Sequence, residues 1–176
     1  MRDLDGRLVV SHDPPCGDVL GVDAVFSRVA AHDAGLPMAL NIKSDGLQGL
    51  VSSAVARHGL TGCFVFDMAV PDAVQWLKAE TGIAVFTRHS DVEAVPAFYD
   101  EAAGVWLDAF RSDWWDMDVV AAHLEAGKRV AIVSPELHGR DHRAVWTMLR
   151  ESAVCRRDDV ILCTDIPETA KEFLGS

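Results

Sequence analysis

Short apolar segments alternate with amphipathic segments along most of the chain, and this alternation narrows the range of possible folds more than any other feature. The apolar segments are rich in Val, Ile and Phe, as strands buried on both faces are; they are Leu8–Ser11, Met38–Ile42, Cys63–Phe66, Ala84–Thr87, Gly104–Leu107, Val130–Val133 and Val160–Cys163. Segments with helical spacing follow them, namely Val22–Ala34, Leu47–His58, Pro71–Glu80, Met117–Ala126, His142–Glu151 and Pro167–Phe173. The alternation predicts an α/β fold with a parallel sheet.

The residues that flank the amphipathic segments support their interpretation as helices. Asp116 stands where a helix N-cap belongs, and Gly59 and Gly127 stand where a left-handed C-cap belongs. The connection that contains Val92–Tyr99 is less regular than the others. We interpret Val92–Tyr99 as a short helix interrupted by a proline.

Polar residues follow nearly every predicted strand of the parallel sheet. They are Lys43, Asp67, Arg88, Asp108, Glu136 and Asp165. In a (β/α)8 TIM barrel the carboxyl ends of all strands converge on one functional face, whereas in a doubly wound sheet such residues concentrate at one switch point. The pattern favours the barrel, although a polar residue at the end of a strand is unremarkable by itself.

The length of the chain is too small for a complete barrel. A (β/α)8 barrel usually needs about 250 residues, and at least about 200, whereas this chain has 176. We therefore expect a single partial domain, residues 1–176, that lacks its first two βα units. The turn Asp3–Gly6 should connect the two strands of a hairpin, of which we expect the first to be absent. A start site placed too late would explain this, and a genuine truncation that survives by forming a homodimer is the alternative.

Composition excludes several classes of partner. The net charge of −11 disfavours nucleic acid and anionic lipid surfaces, because both require a basic face. The first residues form no signal-like apolar segment, and no stretch approaches the roughly 18 apolar residues of a membrane span. The four cysteines form no C-x-x-C pair, which favours reduced thiols. These features predict a cytoplasmic protein without stable membrane insertion.

Three motifs resemble the glycerophosphodiester phosphodiesterase family, a group of barrel hydrolases related to the phosphatidylinositol-specific phospholipases C. The segment Asp5–Pro14 (DGRLVVSHDP) is similar to the family's hairpin, strand and terminal His-Asp-Pro. Asn41-Ile42-Lys43 resembles the family's Glu-x-Lys at the third barrel strand, and Thr164-Asp165-Ile166-Pro167 resembles its Thr-Asp-x-Pro at the eighth.

The resemblance implies metal-assisted cleavage of a small phosphodiester into a phosphomonoester and an alcohol, with a place in lipid metabolism. His12 would protonate the departing alcohol oxygen, a role that suits a side chain titrating near neutral pH. Lys43 would neutralise charge on the phosphate. A divalent metal, Mg²⁺ or Ca²⁺, would be held by carboxylates, with Asn41 in the position of one of them.

The departures from the family pattern imply weak activity. The family's first catalytic histidine and two of its metal carboxylates would precede Met1, and Asn41 brings no charge to the metal. The chain as it stands should therefore hydrolyse phosphodiesters poorly or not at all. The alternative hypothesis is a non-catalytic protein that binds a phosphorylated ligand.

The segment from Glu136 to His142 and the aromatic residue Trp106 are further candidates for substrate binding. Glu136 follows a strand, in a loop that also carries His138 and His142. This loop could recognise the polar part of a substrate or could simply connect a strand to a helix; a zinc site formed by its two histidines is improbable because no third ligand is near in sequence. Trp106 could form an aromatic wall beside Asp108, and a core position fits its sequence equally well.

Overall fold

The computed structural model describes residues 1–152 and 154–175 and contains eight strands and six α-helices in this part of the chain. The strands are β1 (Arg2–Leu4), β2 (Arg7–Val9), β3 (Met38–Asn41), β4 (Cys63–Phe66), β5 (Ala84–His89), β6 (Gly104–Leu107), β7 (Arg129–Val133) and β8 (Val160–Cys163). The helices are α1 (Val22–Asp33), α2 (Gln48–Arg57), α3 (Val70–Lys78), α4 (Met117–Glu125), α5 (Arg143–Ser152) and α6 (Pro167–Leu174).

The order of the strands confirms the predicted barrel topology. The parallel sheet runs β3-β4-β5-β6-β7-β8, so that strands adjacent in sequence are also adjacent in the sheet. A doubly wound sheet reverses its strand order at a switch point, and this sheet does not. By contacts the chain divides into two compact units, Met1–Phe86 and Thr87–Ser176.

The first unit begins with a hairpin that corrects one prediction. β1 pairs with β2 in antiparallel register, with Arg2 opposite Val9. The strand expected to be absent is therefore present as β1. Asp5 (φ 51°) and Gly6 (φ 76°) both adopt left-handed backbone angles, as the tight Asp-Gly turn of a two-residue hairpin requires.

The core of the first unit lies between its strands and the inner faces of its helices. The buried side chains that form it include Phe26, Leu40, Val51, Val65 and Trp76. β4 is buried at all four positions, in agreement with its uninterrupted apolar sequence.

The second unit is built around β6 and β7, whose central side chains are fully buried. Its core includes Val105, Leu107, Val130, Ile132 and Trp146. The unit follows the predicted βα alternation, and the boundaries of β6 and β8 coincide with the predicted ones.

The prediction of a helix over Val92–Tyr99 is wrong. Ser90 forms a bridge with Glu93, and its hydroxyl accepts hydrogen bonds from the amides of Val92 and Glu93. The backbone amides of Ser90 and Glu93 each donate to the other's carbonyl at 3.1 Å, a pairing that a helix through this point does not contain, and Pro96 lacks an amide donor.

The predicted helix caps are confirmed. Asp116 caps α4 by accepting hydrogen bonds from Asp118 N and Val119 N, and Gly59 (φ 64°) and Gly127 (φ 76°) are left-handed. Cys16, Cys63 and Cys163 are free thiols. None of the helices in residues 1–152 and 154–175 is long and apolar enough to cross a membrane.

Candidate functional site

The end of β3 carries a cluster of polar side chains in the first unit. Lys43 Nζ lies 2.8 Å from Asp67 Oδ2, and Asn41 Nδ2 donates to the same oxygen at 3.3 Å. The Lys43 and Asp67 side chains are 31% and 18% exposed, so the pair is neither free in solvent nor sealed in the core. Asp67 follows β4 with a φ of 65°, an uncommon conformation that often accompanies a functional position.

The guanidinium of Arg2 joins the main chains of the two residues that the motifs singled out. Its Nη1 donates to the carbonyl of Lys43 at 2.7 Å, and its Nε donates to the carbonyl of His12 at 3.1 Å. The structure therefore brings the main chains of His12 and Lys43 near each other, although the two residues lie far apart in the sequence. The His12 side chain is 88% exposed, and its Nδ1 lies 3.0 Å from Asp13 Oδ1.

Asn41, the expected metal ligand, has a buried Oδ1 atom without a hydrogen-bond partner in the described part of the chain. An amide oxygen of this kind can serve Mg²⁺ or Ca²⁺. However, the nearest carboxylate, Asp67, already faces the Lys43 ammonium. The described residues also contain no group of three or more His, Cys, Asp or Glu side chains that could hold a metal ion. The donors in these residues do not by themselves fit a divalent-metal site.

The second unit has its own acid–base pair at the ends of β6 and β7. Asp108 follows β6 directly, and His138 lies in a 3₁₀ turn, Pro135–His138, that follows β7. His138 Nε2 lies 2.7 Å from Asp108 Oδ1, and the two side chains are 23% and 7% exposed. In a barrel this end of the strands is the functional face.

Both carboxylate oxygens of Glu136 accept hydrogen bonds from other residues of the chain. Oε2 accepts from the Ser134 hydroxyl, and Oε1 accepts from the Thr164 hydroxyl and from Asp165 N. Burial raises the pKa of Glu136, but the hydrogen bonds from Ser134 and Thr164 outweigh this effect and leave the pKa below its usual value. The structure thus gives Glu136 a role in joining the ends of β7 and β8.

Two tryptophans, the candidate Trp106 and Trp115, lie in buried positions. Trp106 is 7% exposed within β6, and Trp115 is 5% exposed. Trp114 is partly buried and donates its Nε1 hydrogen to the carbonyl of Asp108 at 2.7 Å. These positions favour packing over a solvent-facing wall for Trp106 and Trp115.

A partly buried chain of titratable rings lies beside this region. Tyr99 Oη is 2.8 Å from His123 Nδ1, and His123 Nε2 is 3.0 Å from His89 Nδ1. Burial, with a smaller repulsion from His89, lowers the pKa of His123 to about 4. Burial also lowers the pKa of His89. Both rings are therefore neutral at physiological pH.

Sequence reasoning missed Arg2 and the pairing of Asp108 with His138. Asp67 and Asp108 carried a visible signal, since each stands directly after an apolar strand. No local signal marks the partner of Asp108, because His138 is 30 positions away and only parallel pairing of β6 with β7 brings the two together.

Comparison with known proteins supports the fold. No protein-family model and no curated protein matches the chain. Two solved structures do. The first is described as a candidate glycerophosphodiester phosphodiesterase from Galdieria sulphuraria; it has a TM-score of 0.66 and 15% identity, over 90% of this chain and 65% of the other.

The second is described as a candidate glycerophosphoryl diester phosphodiesterase from Silicibacter pomeroyi. It has a TM-score of 0.61 and 14% identity, over 89% of this chain and 56% of the other. The chain thus spans less than two thirds of the length of either structure. Its fold is that of the glycerophosphodiester phosphodiesterase barrels, present here as an incomplete (β/α)8 barrel.

Proposed function

We propose that this chain belongs to a phosphodiester hydrolase that binds a small phosphodiester at the end of β3 and releases a phosphomonoester and an alcohol. The observation that carries the proposal is the link that Arg2 makes between the carbonyls of His12 and Lys43. In a chain of net charge −11 this link also gathers two cations, Arg2 and Lys43, which is the charge that a phosphate needs.

Lys43 is the phosphate-binding residue in this proposal. Asp67 holds its ammonium at 2.8 Å, which limits the conformations of a flexible side chain. The Lys43 side chain is 31% exposed and its ammonium has three donors, so it can contact a phosphate oxygen while it remains paired. The interaction would strengthen as charge develops on the phosphate.

His12 is the proton donor in this proposal. Its imidazolium would give a proton to the departing alcohol oxygen as the phosphorus–oxygen bond breaks, while water supplies the new oxygen and releases its proton to the solvent. Its side chain is exposed, and a bound substrate would have to order it. An Mg²⁺ or Ca²⁺ ion at Asn41 remains a prediction, and because the described donors do not complete such a site, we derive no step through a metal.

A non-catalytic binding protein is the alternative, and one observation favours it. The neutral Asn41 stands beside a carboxylate that is already paired with Lys43. This arrangement can hold an anion without providing the charge that a catalytic metal needs. Under either function, contacts from Glu136 and Trp106 to the ligand, a cytoplasmic location, a role in lipid metabolism and a homodimer remain proposals.

The test is hydrolysis of bis(p-nitrophenyl) phosphate by the chain with added Mg²⁺, with Ca²⁺ and with a chelator. We expect slow turnover that His12→Ala removes and that His32→Ala, a change at an exposed histidine of α1, leaves intact. Binding of glycerol 3-phosphate without turnover would support the non-catalytic alternative. Absence of both binding and turnover would contradict both functions.

A further inference from the structure

We propose that the end of β3 binds phosphate without a divalent cation, because the Lys43 ammonium is paired with the carboxylate that a metal ion would need. This inference rests on the proposed function for the identity of the ligand. It departs from the expectation that the family resemblance sets, namely Mg²⁺ or Ca²⁺ held at Asn41. All of its contacts lie within the first unit.

The Asp67 carboxylate is already engaged by this ammonium. Lys43 Nζ lies 2.8 Å from Asp67 Oδ2, and Asn41 Nδ2 donates to the same oxygen at 3.3 Å. The Asp67 side chain is 18% exposed, so water and salt screen the ion pair less than they would screen a surface pair. A divalent cation at this oxygen would have to displace the ammonium or lie beside it, and like charges at such short range repel each other.

The Asn41 side chain offers a metal ion an oxygen without a charge. Its Oδ1 atom is buried and has no hydrogen-bond partner in the described part of the chain. Mg²⁺ and Ca²⁺ are usually held by several oxygen ligands, among which carboxylates supply the negative charge. The described residues contain no group of three or more His, Cys, Asp or Glu side chains that could supply it here. Asn41 alone would therefore bind either ion weakly.

The guanidinium of Arg2 adds a second positive charge beside Lys43. Its Nη1 donates to the Lys43 carbonyl at 2.7 Å, and its Nε donates to the His12 carbonyl at 3.1 Å. A guanidinium has five N–H donors, so these two contacts leave others for a further acceptor. Guanidinium groups are well suited to phosphate oxygens. The main-chain contacts thus hold a second phosphate-binding cation close to the first.

The amino group of Met1 reports the same positive charge independently. It is partly buried and donates to the main-chain carbonyl of Asn41. Burial lowers the pKa of this amino group, and the charges of Lys43 and Arg2 lower it further. Both cations therefore act on the surroundings of Asn41, where they would repel a divalent cation and attract a phosphate.

An ammonium can replace a metal ion for binding but not for activating water. Lys43 neutralises phosphate charge and donates hydrogen bonds, as a cationic side chain at a phosphate site does. A metal ion would in addition lower the pKa of a bound water molecule and so generate a nucleophile. Phosphate binding without a metal ion therefore agrees with the weak hydrolysis that we expect of the chain.

The substitution Asn41→Asp provides a matched test, because it keeps the shape of the side chain and adds one negative charge. It would replace the donor that faces Asp67 by a second carboxylate oxygen. Two carboxylates at this distance repel each other, and a divalent cation between them relieves the repulsion. Phosphate binding by this variant should therefore depend on Ca²⁺. Gln75→Glu adds the same charge at an exposed position of α3 and serves as the control.

The experiment is a calorimetric titration of the chain with glycerol 3-phosphate in Mg²⁺, in Ca²⁺ and in EDTA, at equal ionic strength. We expect the unmodified chain and Gln75→Glu to bind with the same affinity, within about twofold, in all three solutions. For Asn41→Asp we expect Ca²⁺ to strengthen binding about tenfold relative to EDTA. Metal-independent binding without any turnover would support this inference together with the non-catalytic alternative.

Binding by the unmodified chain that Mg²⁺ or Ca²⁺ strengthens more than about threefold would overturn this inference and leave the proposed function standing. Absence of binding in all three solutions would remove the proposed phosphate site and this inference with it. The comparison of solutions uses the unmodified chain, so it does not depend on how well a variant folds. A folded Asn41→Asp chain that shows no effect of Ca²⁺ would contradict the role given to the missing charge at Asn41.

Discussion

The two units place a similar pair of side chains at the ends of neighbouring strands, but with different chemistry. In the first unit the cation of the pair is Lys43, 2.8 Å from Asp67; in the second it is replaced by His138, 2.7 Å from Asp108. An ammonium has only hydrogen-bond donors and suits an anion, whereas an imidazole has two ring nitrogens that donate or accept according to its protonation. Similar positions at strand ends therefore carry different chemistry in the two units.

The units also differ in how these pairs are supported. Arg2, from the partly exposed hairpin, ties the first site together through main-chain carbonyls, and the His12 side chain remains open to solvent. The second site rests on buried partners, among them Trp146 and Ser134. We expect the Asp108–His138 pair to be rigid in the folded chain and the first site to become ordered when a ligand binds.

Replacement of a buried tryptophan should produce the largest difference in stability between the two units. Trp146→Ala should lower the free energy of unfolding by about 3–5 kcal/mol, through a large cavity and the loss of the indole hydrogen bond to the Ser134 hydroxyl. Trp146→Phe keeps most of the packing and should cost clearly less. Urea unfolding measures both, and His138 NMR signals should broaden only in the Ala variant. A loss below about 1 kcal/mol would show that Trp146 does not support the second unit as described.

The pH dependence of stability should give the second-largest difference between the units. The pKa of His123 is about 4 in the folded chain, below its usual 6.5, so the unfolded state takes up the proton first. The free energy of unfolding should therefore fall as pH drops from about 6.5 to 4, by about 3 kcal/mol for the whole shift. His123→Gln should reduce this dependence, and His32→Gln should not.

The first unit should respond in a lower pH range. Hydrogen bonds from His58 and Arg57 lower the pKa of Asp23, so its contribution is lost only as pH falls below about 3.8, where the unfolded carboxyl is protonated. Stability measured by urea unfolding at pH 7, 5, 4 and 3 tests the difference. Equal stability at pH 7 and pH 5 would contradict the role given to His123.

The helix caps should produce the weakest differences. Asp116 caps α4 with its carboxylate, and Asp116→Ala should cost about 1 kcal/mol. The N-cap of α1, Gly21, has no side chain to offer, adopts an extended conformation and has open space where a Cβ would stand. Gly21→Ser should therefore stabilise the first unit by a few tenths of a kcal/mol. Thermal unfolding measures both changes, and a gain from Asp116→Ala would refute the capping role.

The strand alternation and the strand-end residues were predictable because buried parallel strands require continuous apolar sequence. β4, β6 and β8 coincide with their predicted segments for this reason. Strand β1 was missed since Arg2, Asp3 and Leu4 carry no strand pattern and pair only through the Asp-Gly turn.

The site was only partly predictable for a related reason. Motifs identified His12, Asn41 and Lys43, each at or near a strand end, but not what holds them. Arg2 donates to main-chain carbonyls. Because every residue has such a carbonyl, the sequence does not indicate which residues Arg2 contacts. The partner of Asp108 depends on strand pairing, which a single sequence does not encode locally.

The phosphate site at the end of β3 is tested by the affinity of the chain for glycerol 3-phosphate, measured by calorimetry before and after Lys43→Met. We predict binding that weakens at least about tenfold in this variant, since a charge-assisted contact to phosphate is lost. The matched change Lys78→Met, at an exposed lysine of α3, should leave the affinity unchanged. Equal binding by the unmodified chain and by Lys43→Met would contradict the assignment of the phosphate site to the end of β3.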